Sequence, residues 1–212
     1  MLLCHPDGAR IPFSLASSPA ELPELTLHYR STPGSEDARR VDALLANGAP
    51  IEIDLPHGHC GVPAPLTAPL LMLAGGTGIS QARSILRTHA QGEAGPPLRL
   101  YWGVARETDL YLATELDALA QDCPRFVWTA CIEEASTERQ DDLRQGRLAT
   151  VVAADVAAGR IDLGAWDLLL AGGPPMVWGT IEALRDLGLS RARTRADVFE
   201  YAPRDDLWPA AP

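Results

Sequence analysis

The chain has 212 residues, 46% of them hydrophobic, which fits one large globular domain or two small ones and excludes a disordered chain. Its 18 basic residues, all arginine, face 28 acidic ones for a net charge of −10, so a nucleic-acid partner is not expected. No apolar run reaches the roughly 18 residues of a membrane span, and MLLCHPDG lacks the features of a signal peptide, so no membrane association and a cytoplasmic location are expected.

The elements then read in chain order. Residues 10–19 (RIPFSLASSP) suggest a strand and a loop. Residues 25–29 (LTLHY) and 51–55 (IEIDL) alternate and are bounded by Pro or Gly, which predicts two short strands. Residues 41–46 suggest a short helix ended by Asn47-Gly48. The Pro- and Gly-rich stretch PHGHCGVPAPLTAP reads as a linker. Beyond residue 66 a regular alternation begins. Residues 70–74 (LLMLA) form an apolar strand, 75–78 (GGTG) a tight turn, and 80–91 a helix with Ala82, Ile85, Leu86 and His89 on one face. Residues 98–103 are the next strand. Thr108 caps a helix through Ala120, with Leu112, Leu116 and Leu119 inward. A strand over 126–132, a short helix within 145–158 and a strand over 166–171 follow. Pro174 and Pro175 suit the start of a helix that runs to Leu187 and closes at Gly188. A last short strand is expected over 196–201, and the tail after Pro203 reads as irregular. Strands alternating with helices predict a parallel sheet covered on both faces.

Two glycine turns carry chemical interest. In LLMLAGGTGISQARSIL an apolar strand runs into glycines and then a helix, which lets backbone approach a ligand and offers free N–H groups to an anion. The spacing is not GxGxxG, so an ordinary strand-to-helix turn stays open beside a phosphate site. In LLLAGGPPMVWGTIEAL a second strand ends in Gly172-Gly173. Both turns lie at the carboxyl ends of parallel strands, where open α/β sheets bind ligands, so a nucleotide site is expected. The four cysteines, at 4, 60, 123 and 131, form no CxxC pair, and HGHC is too compressed for usual metal spacing, so no metal or iron–sulfur site is expected.

Together with ARIPFSLASSP, these segments in this order resemble the ferredoxin–NADP reductase superfamily, most closely the bacterial NAD(P)H:flavin reductases that use flavin as a substrate. The R-x-[YF]-[ST] flavin motif has its counterpart in Arg10-Ile11-Pro12-Phe13-Ser14. ELTLHY and IDLPHG are similar to later barrel strands. AGGTGISQARSIL and LYWGVARETDLY are similar to the nicotinamide side, AGGPPM to C-G-P-P-P-M, and DVFEY to the aromatic ending beside the flavin. The likeness runs from about residue 2 to 201. It departs in four ways. The family has roughly three dozen more residues ahead of this start, and a partly built barrel exposes strand edges, so either the true start lies upstream or another subunit covers the missing surface. Arg10 stands one residue out of register, and Arg106 is similarly displaced. Ala171 replaces the family's Cys.

The resemblance implies a partial antiparallel flavin-binding β-barrel over 1–66, followed over 67–212 by an α/β nicotinamide domain with a parallel five-stranded sheet and helices on both faces. It implies hydride transfer from NADH or NADPH to a flavin (FMN, FAD or riboflavin), with reduced flavin released. The alternatives are a reductase component serving an oxygenase or iron–sulfur acceptor, and a non-catalytic nucleotide-binding remnant. A homo-oligomer through the incomplete barrel is a further expectation. By resemblance the pyrophosphate lies near Gly75, Gly76, Thr77 and Gly78, with Thr77 beside the nicotinamide and Trp102 and Gly103 on the adjoining strand. Gly172, Gly173, Pro174 and Met176 line the nucleotide from the other side. The flavin ring lies against Pro12, Phe13 and Ser14, with Phe199 or Tyr201 near it, and Ser14 is the expected catalytic hydroxyl. Arg10 reaches a flavin phosphate or ribityl group. His28 and Tyr29 belong to the flavin-contacting strand, or His28 is a satisfied strand histidine. Glu133 and Glu134 disfavour a 2′-phosphate, which points to NADH.

Overall fold

A computed structural model of the chain describes residues 1–134 and 143–208. The small part is a three-stranded antiparallel sheet of order β2-β1-β3, built from β1 (Leu2–Cys4), β2 (Arg10–Pro12) and β3 (Glu52–Asp54). Helix α1 (Glu36–Asn47) joins it, opened by Ser35, which accepts from Ala38 N at 3.2 Å, and closed by left-handed Gly48 at φ 62°. Leu3, Ile11 and Val41 form its buried centre, with Phe13, Leu27 and Tyr29 packed against them.

The larger part is a parallel sheet of six strands: β4 (Leu70–Gly75), β5 (Leu98–Val104), β6 (Phe126–Ile132), β7 (Leu143–Gln145), β8 (Asp167–Ala171) and β9 (Thr194–Arg195). Helices α2 (Ile79–His89) and α3 (Ala113–Asp122) cover one face, while α4 (Leu148–Ala157) and α5 (Pro174–Leu184) cover the other. The apolar run in β4 is explained by this sandwich. Side chains alternate across a strand, so Leu71 and Leu73 enter the α4/α5 core while Leu70, Met72 and Ala74 enter the α2/α3 core. Strand order β7-β6-β5-β4-β8-β9 reverses direction between β4 and β8, creating a crevice at their carboxyl ends. No described helix is long and apolar enough to cross a membrane.

Four expectations need correction. The described sheet has six strands because β7, the short triplet LRQ, pairs with the edge of β6 despite having no apolar run. The strand expected at 196–201 is absent. β9 ends at Arg195, and Val198–Tyr201 forms a single helical turn, α6, closed by Ala202 N to Val198 O at 2.9 Å. Residues 25–29 make an isolated bridge, Leu15 to Leu27, because Thr26 N donates to the Ser17 hydroxyl at 3.1 Å instead of extending a ladder. Thr108 sits in a 3-10 turn (Glu107–Asp109), and α3 starts only at Ala113. Asp109 takes the capping role there, accepting from Arg106 N at 3.1 Å. The last four residues of the tail lie outside the described residues.

Candidate functional site

The crevice between β4 and β8 is built by missing side chains. A Cβ on Gly78 would run into the Ala171 carbonyl, so only glycine lets the start of α2 close onto the end of β8. Gly76 adopts φ +53°, which glycine tolerates best. Gly75 and Gly172 face each other beneath the Met176 side chain, whose Cε lies 2.9 Å from where a Gly75 Cβ would be. Ser80, fully buried, donates to the Thr77 carbonyl at 2.7 Å and tightens the turn. Gly173 and Pro174 open α5 on the other lip. The structure therefore brings Gly75, Gly76, Thr77, Gly78, Gly172, Gly173, Pro174 and Met176 together at the carboxyl ends of β4 and β8.

Beside this crevice lies a cavity of about 650 Å³, between the small sheet, the linker, α2 and α6. Pro12, Phe13, Ser14 and Tyr201 line it. So do Cys60, Gln81 and Asp197, which sequence reasoning missed. Gln81 follows Gly78 by three residues, so the first turn of α2 belongs to both concavities. Gln81 Oε1 and Asp197 Oδ1 are buried and have no hydrogen-bond partner among the described residues. Burial raises the Asp197 pKa, backed by the Glu200 charge and opposed by backbone hydrogen bonds. Burial pushes the Cys60 thiol up to about 11, so it is neutral at physiological pH.

Other expected residues take different places. Arg10 pairs with Asp54 across the small sheet and lines a separate concavity of about 500 Å³. Its cationic head is committed to a carboxylate, and among the described residues no arginine lines the main cavity. Phe199 turns away from the cavity: its ring meets Trp178 at 5.4 Å and Trp208 at 6.5 Å, with the Arg191 guanidinium 4.5 Å from its centre. The helical turn of α6 separates it from Tyr201, which stays at the cavity. Tyr29 points into α1, donating to Ala38 O at 3.0 Å and Asp42 Oδ1 at 2.8 Å. Trp102 is fully buried beneath the glycine turn and supports it by donating to Gly76 O at 2.9 Å. Gly103 lets α4 pack close, since its Cβ would sit 3.0 Å from Leu148 Cβ.

His28 meets the Tyr111 hydroxyl at 2.9 Å, and Tyr111 stands edge-on to Trp102 at 5.4 Å, so a ladder of rings ties the N-terminal part to the crevice. Burial lowers the His28 pKa, helped by Arg83 and opposed by Glu115. Arg30, also missed, carries its guanidinium to 3.8 Å from where a Gly76 Cβ would be. The signal for it was only its place directly after LTLHY. At the ends of β5 and β6, Arg106 pairs with Glu134 at 2.9 Å and Arg147 with Glu133 at 3.7 Å. The linker histidines pair with acids, His57 with Asp54 at 3.0 Å and His59 with Glu200 at 3.4 Å.

This architecture has relatives. Residues 72–181 match the family described as the oxidoreductase NAD-binding domain. The chain is 31% identical over 212 residues to terephthalate 1,2-dioxygenase, reductase component 1, of Comamonas sp, covering 95% of this chain and 59% of the relative. It is 32% identical over 202 residues to a probable flavin reductase of Aliivibrio fischeri, covering 92% of this chain and 82% of the relative. Among solved structures, an Amycolatopsis cytochrome P450 reductase superposes with a TM-score of 0.76 at 27% identity, over 92% of this chain and 58% of that one. The chain thus spans less than two thirds of the terephthalate reductase component and of the Amycolatopsis protein. The parallel sheet with its β4/β8 reversal lies within the matched residues, and the chain belongs to the oxidoreductase NAD-binding domain family of the ferredoxin–NADP reductase superfamily.

Proposed function

We propose that the chain is a NAD(P)H-dependent flavin reductase, taking NADH or NADPH in the β4/β8 crevice and FMN, FAD or riboflavin in the neighbouring cavity. Bound together, the two groups supply a hydride transfer between adjacent rings, and the protein supplies position and electrostatics. One observation carries this reading: a glycine-walled crevice and a ring-sized cavity share the first turn of α2. The cavity volume suits a small organic ligand. The unpartnered oxygens of Gln81 and Asp197 suit a ring with N–H donors. The division near residue 66 then separates a flavin side from a nicotinamide side.

Within this reading Ser14 offers its hydroxyl to the flavin ring and Thr77 flanks the nicotinamide. Asp197 holds a proton on its carboxyl to higher pH than an ordinary aspartate. Gly76, with Arg30 beside it, receives the dinucleotide phosphates. The Arg10–Asp54 pair, and a cavity lining with no arginine among the described residues, support recognition of a flavin by its ring rather than its phosphate, as an exchanging substrate requires. Glu133 and Glu134, each paired with an arginine, support NADH over NADPH.

The test is NADH oxidation followed by absorbance, with and without added riboflavin or FMN. Oxidation that requires flavin and saturates with it is the expected result, and a folded sample with no oxidation would sink the reading. The terephthalate relative, named a reductase component, favours a second reading in which a held flavin passes electrons to a separate iron–sulfur or oxygenase partner. A yellow protein that keeps its flavin through purification would select it.

A further inference from the structure

We propose that Arg83 is a positioning residue that holds the Ser14 segment at a set distance from the dinucleotide turn; this rests on the flavin and nicotinamide reading above. Arg83 lies on α2, five residues beyond Gly78, a rise of about 7.5 Å along the helix. Its side chain is only 14% exposed. The guanidinium donates to the Ala16 carbonyl at 2.7 Å, to Glu115 of α3 at 3.0 Å and to Glu21 at 3.4 Å. Glu21 in turn accepts from Ser18 N at 2.7 Å, so the carboxylate grips the same stretch of chain. Ser84 adds a bond to the Ser17 carbonyl at 2.8 Å.

Ala16 follows Ser14 by two residues, and Ser14 lines the cavity. The opposite end of α2 is fixed by the contact of Gly78 with the Ala171 carbonyl. The helix is therefore a rigid spacer, with the crevice at its first residues and the Ser14 segment docked about one turn later. A planar fork is needed for this docking, because one group must reach a carbonyl and two carboxylates in fixed directions. A lysine ammonium supplies charge without that geometry.

The test uses the full chain, with Arg83→Lys as the main variant and Glu115→Gln as the second. A non-reducing tetrahydro analogue of NADH, added with riboflavin, gives a long-wavelength charge-transfer band when the two rings stack. Arg83→Lys is expected to keep dinucleotide Kd within about threefold, lose most of the band and slow single-turnover flavin reduction about tenfold to a hundredfold, as expected for a displacement near 1 Å. Glu115→Gln, which keeps the Ala16 bond, should fall between wild type and Arg83→Lys. A folded Arg83→Lys protein with an unchanged band and rate overturns the positioning role alone. Wild-type protein lacking both band and flavin reduction overturns the flavin and nicotinamide reading, and this proposal with it.

Discussion

The Trp102 indole donates to the Gly76 carbonyl at 2.9 Å, from a fully buried position on β5 beneath the glycine turn. The bond orients the peptide that follows Gly76, and hence the N–H groups at the start of α2. Trp102→Phe should cost about 1–3 kcal/mol, from the lost bond and the space left by the smaller ring. It should also raise the Kd for NADH several-fold, about 1 kcal/mol, because the turn is no longer held in one orientation. Denaturant unfolding and calorimetric titration measure the two effects separately.

Glycines in this chain are not equivalent. Gly78→Ala would drive a methyl into the Ala171 backbone, which has no rotamer to escape into. A loss of about 3 kcal/mol or more is expected, with dinucleotide binding abolished. Gly179, inside α5, has nothing within 4 Å of its Cβ position. Gly179→Ala should therefore stabilise by about 1 kcal/mol, since alanine is the better helix former. Opposite shifts in melting temperature are the expected result.

Ser14→Ala should lower turnover about tenfold or more while leaving NADH affinity unchanged, because a donor that acts only on developing charge affects rate and not binding. Stopped-flow flavin reduction against NADH concentration separates the two constants. An unchanged rate would remove Ser14 from the chemistry.

Arg30 carries its charge at the mouth of the crevice, and Arg30→Ala should raise the dinucleotide Kd about tenfold at low salt, with the difference shrinking as salt screens the exposed charge. The double variant Glu133→Gln, Glu134→Gln frees Arg147 and Arg106 from their partners. It should lower the KM for NADPH while leaving that for NADH little changed. Initial rates with both coenzymes provide the measurement.

Asp155 on α4, with its side chain 5% exposed, receives bonds from Tyr101 at 2.5 Å, Arg160 at 2.6 Å and Arg144 at 3.1 Å. Burial alone would raise its pKa, but these donors outweigh burial and the net shift is downward. A depressed folded-state pKa means that the contribution to stability is complete above the unfolded value of about 4. It is then lost as pH falls through the lower folded-state value. Asp155→Asn should cost about 1–3 kcal/mol at pH 7, and the gap from wild type should narrow below about pH 4. Urea unfolding at both pH values provides the comparison.

Several parts of this molecule could be read directly from the chain. LLMLA and the LLLA that follows Asp167 are apolar at every position because a central parallel strand is covered on both faces, so burial leaves a local mark in the sequence. The two glycine turns were legible because close backbone approach excludes side chains whatever the neighbours. Tertiary structure decided the pairing of residues distant along the chain. Arg10 stands in a sequence that resembles a flavin motif, yet its charge is taken by Asp54, 44 residues later. Phe199 and Tyr201 were indistinguishable as candidates until a helical turn sent one to Trp178 and left the other at the cavity. Asp197, Gln81 and Arg83 lie inside segments that carry the resemblance, yet nothing local singles them out. Their roles come from what lies across the fold, and electrostatic and hydrogen-bond partners are chosen by distance in space, which hydrophobic periodicity does not record.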